Sequence, residues 1–204
     1  MGCLKRIFSI IILIFAYIGF QSVGGVKFFQ DFFNNLTTPQ KQNIESVNKV
    51  INTSRLSKDY EISKAIDFFG MKVVEADYQK SPQKIFLIDS NGLIKISKED
   101  FYSGQIKEIL QNLISKFTYQ AIRIENLKII RNGTFLAMNK QKIPFILFEA
   151  DIIRGTAPKM YGMLGVVEAP NAENDIILSF TTVGKYNQSV TENFFKQINY
   201  SEGL

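Results

Sequence analysis

The sequence predicts an α+β fold: an antiparallel sheet meander with helices packed on it, preceded by an N-terminal transmembrane or signal helix. Three observations predict it. Residues 7–26 carry no charged side chain, and their heart, Ile7 to Phe20, reads IFSIIILIFAYIGF. Between Ile143 and Val183, three strand-like segments follow one another with short turns, the arrangement of an antiparallel meander. Apolar residues also recur at helical spacing over Phe101–Phe117 and Val190–Ile198.

Twenty residues at helical rise cover about 30 Å, the thickness of a bilayer's hydrocarbon core. Lys5, Arg6 and the amino terminus precede that run, which keeps the N-terminus cytoplasmic and places the domain outside. A cleaved signal peptide fits as well: a basic start, an apolar core from Phe8 to Phe20, and small residues at Ser22 and Gly24. Both readings stay open, a single-pass anchor over residues 7–26 or secretion after cleavage. No cysteine follows the apolar core, which excludes a bacterial lipoprotein, and Arg6 stands where a myristoylation signal has Ser or Thr. Residues 1–26 are thus the anchor or signal, 27–38 an amphipathic connector, and 39–204 a single α+β domain. In the connector, Phe28, Phe29, Phe32, Phe33 and Leu36 share one helical face, opposite Gln30, Asp31, Asn34 and Asn35.

Thr38-Pro39 reads as a helix start, with Ile44, Val47, Val50 and Ile51 following at helical spacing. Ser54 to Ser63 is polar and reads as a connector, and Met71 to Ala76 as a short strand. Lys84–Asp89 and Leu93–Ile96 flank Ser90-Asn91-Gly92, whose Asn-Gly pair tolerates the positive φ of a tight turn and predicts a hairpin. Ser97 and Asp100 have capping-box spacing and open a helix with an apolar face from Phe101 through Ile106, Ile109, Leu110, Leu113 and Ile114 to Phe117. Ile122–Ile130 reads as a strand, with a turn at Asn132-Gly133 and a second edge over Gly133–Met138. The strands Ile143–Ile153, Met160–Glu168 and Asp175–Val183 are separated by turns at Gly155–Pro158 and Pro170–Asn174. Ser189 and Glu192 repeat the capping-box spacing and open a last helix that buries Val190, Phe194, Phe195 and Ile198, with Phe194 or Phe195 packing on Phe180 or its neighbours.

Composition narrows the chemistry. Hydrophobic residues make up 46%, enough for a packed core. The 24 basic and 19 acidic residues form no dense basic run, so no nucleic-acid partner is expected. There is no histidine, and Cys3 is the one cysteine. Ser-His-Asp and Cys-His catalysis, histidine-ligated zinc or haem, and any disulfide within the domain are therefore excluded. No cofactor and no metal site is expected.

Glu149 and Asp151 are the candidate acidic pair. Two apart on a strand, they point to one face roughly 7 Å from each other. Paired carboxylates suit acid–base chemistry or calcium, whereas Ile146, Phe148, Ala150 and Ile152 on the other face make them the wet side of an ordinary strand. Gly162 and Gly165 lie inside a strand, where glycine marks close approach of a ligand, a bulge or tight packing. No glycine cluster precedes Lys-Ser or Lys-Thr in the manner of a phosphate loop. Asn35, Asn52, Asn132, Asn187 and Asn199 each begin an N-x-S/T triplet, which bears on glycosylation in a eukaryotic secretory setting.

The order of hairpin, long helix, meander and terminal amphipathic helix, with the segments ILFEADIIRG, YGMLGVVEAP, DIILSFTTVG and TENFFKQI, resembles the PsbP-like α/β/α sandwich over about residues 84–200. That fold occurs in extrinsic photosystem II subunits and in small bacterial export-linked lipoproteins. The resemblance implies a binding or assembly scaffold without cofactor or catalysis, and it transfers no site residue. The sequence therefore predicts a non-enzymatic, membrane-tethered or exported interaction domain with a protein partner. The alternatives are a module for a small apolar or lipid-like ligand, and a hydrolase using Glu149 or Asp151 against another acid such as Glu168.

Overall fold

Strand-forming runs account for most of the described residues, and their burial shows which are central. The computed structural model describes residues 51–68, 71–89, 95–115, 123–137, 140–153, 159–168, 174–182 and 184–200. In chain order the elements are β1 (Ile51–Asn52), β2 (Tyr60–Phe68), β3 (Met71–Tyr78), β4 (Lys84–Asp89), α1 (Lys98–Ser103), α2 (Ile106–Ser115), β5 (Arg123–Leu136), β6 (Lys142–Ile153), β7 (Lys159–Glu168), β8 (Asn174–Thr181), α3 (Gln188–Phe195) and β9 (Asn199–Tyr200). Seven strands form one antiparallel sheet in the order β2-β3-β4-β8-β7-β6-β5. It is two meanders, β2-β3-β4 and β5-β6-β7-β8, joined where β4 pairs with β8. Helices α1 and α2 carry the chain from the central strand β4 to the far edge β5, and they pack on β6 and β5 respectively. A second, two-stranded sheet pairs Ile51 with Tyr200 and ties the two ends of the described chain together.

Centrality explains the composition of β4 and β8. Ile85 to Ile88 and Ile176 to Phe180 are buried at every position, because both faces of the sheet are covered there. Strand β6 alternates instead over its second half, with Phe148, Ala150 and Ile152 buried and Leu147, Glu149 and Asp151 half-buried.

Several local expectations give way to these pairings. Strand β4 meets β3 through Lys84↔Asp77 to Asp89↔Lys72 and β8 through Lys84↔Phe180 to Asp89↔Asp175. It has no edge left for Leu93–Ile96, and residues 95–97 form no strand. The expected polar connector over Ser54–Ser63 runs into β2 at Tyr60. Ile51 is a strand residue paired with β9 rather than the end of a helix. Asn132-Gly133 makes no turn, since β5 runs on through it and pairs Gly133 with Phe145. A Cβ on Gly133 would lie 2.9 Å from that phenylalanine ring, so close packing accounts for the glycine. The helix expected from Phe101 to Phe117 is broken at Gly104, whose φ of 82° caps α1. Ser97 caps α1 as expected, its hydroxyl accepting from the Asp100 amide while the Asp100 carboxylate accepts from the Ser97 amide. Helix α3 is capped by Asn187 rather than Ser189, its Oδ1 accepting from the Ser189 amide at 3.1 Å. The N-terminal segments, the Ser90–Gly92 turn, the Gly155–Pro158 turn and most of the Pro170–Asn174 turn lie outside the described residues.

The core on one face gathers Val74, Ile85, Leu87, Phe145, Met163 and Ile177 beneath Val190, Phe194, Phe195 and Ile198 of the closing segment. Phe194 meets Tyr60 at 5.5 Å and Phe195 edge-on at 5.2 Å, and Phe195 reaches Phe135 at 6.2 Å. The expected partner Phe180 points to the opposite face, as alternation along β8 requires, and stacks on Phe86 at 5.5 Å. Truncating a buried phenylalanine costs on the order of 3–5 kcal/mol, a large share of a small domain's stability. Phe194→Ala and Phe195→Ala should each move the urea midpoint sharply downward. Two variants that unfold at the parental midpoint would mean that α3 is not docked.

Candidate functional site

The acidic pair of β6 is placed as its spacing requires. Glu149 and Asp151 share one face of the sheet, half-buried. Glu149 lies between Lys128 of β5, 3.8 Å away, and Tyr161 of β7. Asp151 accepts from Asn126 Nδ2 at 2.8 Å. A third acid does not join them. Glu149 pairs with Tyr161, so Glu168 stands seven residues farther along β7, roughly 23 Å away and on the other face. There Glu168 pairs with Lys98 at 2.7 Å.

Gly162 and Gly165 serve the sheet itself. A Cβ on Gly162 would lie 2.5 Å from the Ser179 carbonyl oxygen and 2.8 Å from the Phe148 ring, and one on Gly165 would lie 3.0 Å from the Pro144 carbonyl oxygen. Close approach of the chain's own strands accounts for both. Among the described residues, no three histidine, cysteine, aspartate or glutamate side chains gather so as to hold a metal ion.

The polar groups that sequence reasoning missed are buried ones. Gln83, in the turn before β4, turns its amide onto the residue that caps α3. Its Oε1 accepts from the Asn187 amide at 3.0 Å, and its Nε2 donates to the Asn187 carbonyl at 3.0 Å. The same Nε2 reaches Thr191 Oγ1 at 3.0 Å. Directions follow down the chain of hydroxyls. Ser179 donates to the Lys84 carbonyl at 2.8 Å and accepts from Thr191 at 2.8 Å. Thr191, its proton spent, accepts from Gln83 and from the Tyr186 hydroxyl at 2.8 Å. Burial pushes the Tyr186 phenol up to about 12, partly offset by the hydroxyls of Ser179 and Thr191 near it. A second phenol, Tyr60, donates to the Val190 carbonyl at 2.6 Å, and burial with the nearby Tyr78 and Asp59 raises it to about 12. Gln83 stands in a polar connector with no periodicity around it, so nothing local marks it as buried.

On the other face lies a buried charge cluster. Glu75 is 2% exposed and accepts from Lys84 Nζ, which also donates to Asp77 at 2.7 Å. Lys64 Nζ lies 3.8 Å from the other Glu75 oxygen. Burial disfavours the Lys84 charge, but the hydrogen bonds to Asp77 and Glu75, with their charges, outweigh it and raise its pKa above the ordinary lysine value. The cross-strand pairs Asp77↔Lys84 and Glu75↔Phe86 bring these residues together, a juxtaposition set by strand pairing rather than by sequence spacing.

A candidate binding surface among the described residues is a groove beside the segment that leads into α3, about 440 Å³ in volume. Ile130, Leu147, Tyr161, Gly184, Lys185 and Tyr186 line it. Its outer wall, Ile130, sits at a bulge in β5, between the pairs Ile129↔Phe148 and Arg131↔Leu147. Ile130 is 54% exposed, and Leu136 farther along the same edge strand is 51% exposed. Among the described residues no helix is long and apolar enough to cross a membrane, and the apolar run at 7–26 lies outside them. No protein-family model matches the chain, and no curated protein is similar to it.

Removing one partner of a buried ion pair leaves an uncompensated charge, at a cost of about 3–5 kcal/mol. Lys84→Met should destabilise the fold on that scale in urea unfolding, and Lys84→Met with Glu75→Gln should recover much of the loss. A single variant as stable as the parent would show that the pairing of Lys84 with Glu75 and Asp77 does not hold these strands together.

Proposed function

We propose that this chain is a non-enzymatic binding or assembly domain, held outside the cytoplasm by the N-terminal apolar segment or released there after its cleavage. The observation that carries the proposal is the edge of β5, unpaired among the described residues, where Ile130 stands half-exposed on the groove wall and Leu136 half-exposed farther along the strand. Bare edge strands invite pairing, and large exposed aliphatics on such an edge suit a surface that a partner covers. The absence of histidine and the position of Cys3 leave carboxylates as the main groups for acid–base chemistry. The carboxylates of β6 have Lys128 and Asn126 as partners, and Glu168 lies too far away to form an acid pair with them. The resemblance to PsbP-like domains implies the same kind of role.

A second reading, a module for a small apolar or lipid-like ligand, is favoured by one observation. The groove volume of about 440 Å³ falls within the range of small-molecule sites.

One deletion strain tests the proposal. A complementing copy with a C-terminal reporter that works only outside the cytoplasm should be active. Glu149→Gln with Asp151→Asn should complement fully at matched protein level, whereas Ile130→Asp with Leu136→Asp should fold but fail to complement. A reporter active only in the cytoplasm would reverse the topology. Loss of function from the carboxylate pair alone, with folding intact, would promote the hydrolase.

A further inference from the structure

We infer that the β5 edge and the groove beside it receive an extended acidic segment of a partner protein, one apolar side chain of which enters the groove. The inference rests on reading the chain as a binding domain.

The bulge supplies the first argument. The pairs Ile129↔Phe148 and Arg131↔Leu147 leave Ile130 as an extra residue without a partner across the ladder. A bulge re-aims the side chain it carries, and here it turns a large aliphatic into solvent on the groove wall, near Leu147, Tyr161 and Tyr186. Length supplies the second. Leu136 lies six residues farther along β5, roughly 20 Å at strand rise. Two apolar landmarks that far apart on one edge match an extended peptide, while a small ligand in the groove reaches only Ile130. Main-chain pairing to an open edge, with a pocket for one side chain, is the established physics of strand addition.

Charge decides which segment. From Ile129 to Phe148 the chain holds Arg131, Lys140 and Lys142 and no acidic residue, and Lys185 joins them on the groove wall. Glu149, which follows on the same face as the groove, has Lys128 3.8 Å away. Lys140 and Lys142 are exposed, as is Arg131, whose Nη2 donates to Gln188 Oε1. Antiparallel pairing of β5 with a second copy about Ile129 and Ile130 would set Lys128 against Arg131 twice, like against like. An acidic strand meets the opposite condition.

The probe is a short fluorescent peptide alternating glutamate with leucine and valine, with a lysine-for-glutamate version as its control. The protein is the full chain in nanodiscs of phosphatidylcholine. The acidic peptide should bind and weaken with added salt, and the lysine peptide should not bind. Ile130→Asp and Lys185→Glu should each weaken binding by about tenfold or more, while Glu61→Ala on the opposite edge should not. Thermal unfolding of each variant checks its fold, and Lys185→Glu decides the matter if Ile130→Asp does not fold. Equal binding of both peptides, or none of the acidic one, would overturn the inference. So would dodecanoate binding in the groove without peptide binding, or a dimer that Ile130→Asp dissolves. If the acidic peptide fails while Ile130→Asp with Leu136→Asp still abolishes complementation, the binding-domain reading stands and the acidic strand falls.

Discussion

The side-chain amide of Gln83 pairs with the main-chain amide of Asn187, and much of the rest hangs on that pairing. Its two bonds of 3.0 Å imitate a step of β-ladder between a turn and the residue that begins α3. They fix where α3 starts, and so where Phe194 and Phe195 meet the sheet. They also fix residues 184–187, which bring Lys185 and Tyr186 to the groove. The network beneath them is closed: Gln83, Ser179, Thr191 and Tyr186 each find partners, and Ser179 ends the chain on the Lys84 carbonyl. A buried polar network that is fully satisfied holds one arrangement, whereas a half-satisfied one is costly. The join between the two meanders, β4 against β8, is where this network lies.

Successive residues serve opposite faces at that join. Gln83 holds the helix on one side, and Lys84 holds Glu75 and Asp77 on the other. Apolar burial supplies most of the cohesion of β4 and β8, yet apolar contacts tolerate sliding, because Ile, Leu and Val exchange neighbours at little cost. Polar partners with fixed geometry do not. The two clusters therefore pin the register of the central strands from both sides, and the groove on the outer meander inherits that placement.

Much of the fold was legible in the sequence because its signals were local. The strands of residues 143–183 announced themselves by apolar and β-branched runs, α1 by the Ser97 and Asp100 pair, and the buried face of α3 by Val190, Phe194 and Phe195. Strand β2 was not legible, since an edge strand reading YEISKAIDF carries charge where a central one carries isoleucine. The hairpin partner expected after β4 finds no edge, because β3 and β8 occupy both sides of β4, and the turn expected at Asn132-Gly133 gives way to a strand in which Gly133 accommodates the Phe145 ring. Of the candidate site, the shared face of Glu149 and Asp151 followed from strand period alone. The partners of that pair, the Gln83 network and the groove depend on contacts distant in sequence, and no spacing rule reaches them.

Gln83 latches α3 to the junction of the meanders, and amide hydrogen exchange on Gln83→Leu probes that latch at its weakest point. Losing the side-chain amide takes from the Asn187 N–H its Gln83 acceptor and leaves the Asn187 carbonyl with the Val190 amide, at a cost of about 1–3 kcal/mol. The amides of α3 should lose protection first and most, with those of β8 around Ser179 following, while β5 and β6 keep theirs. Protection in α3 equal to that of the parent, with unchanged global stability, would contradict it.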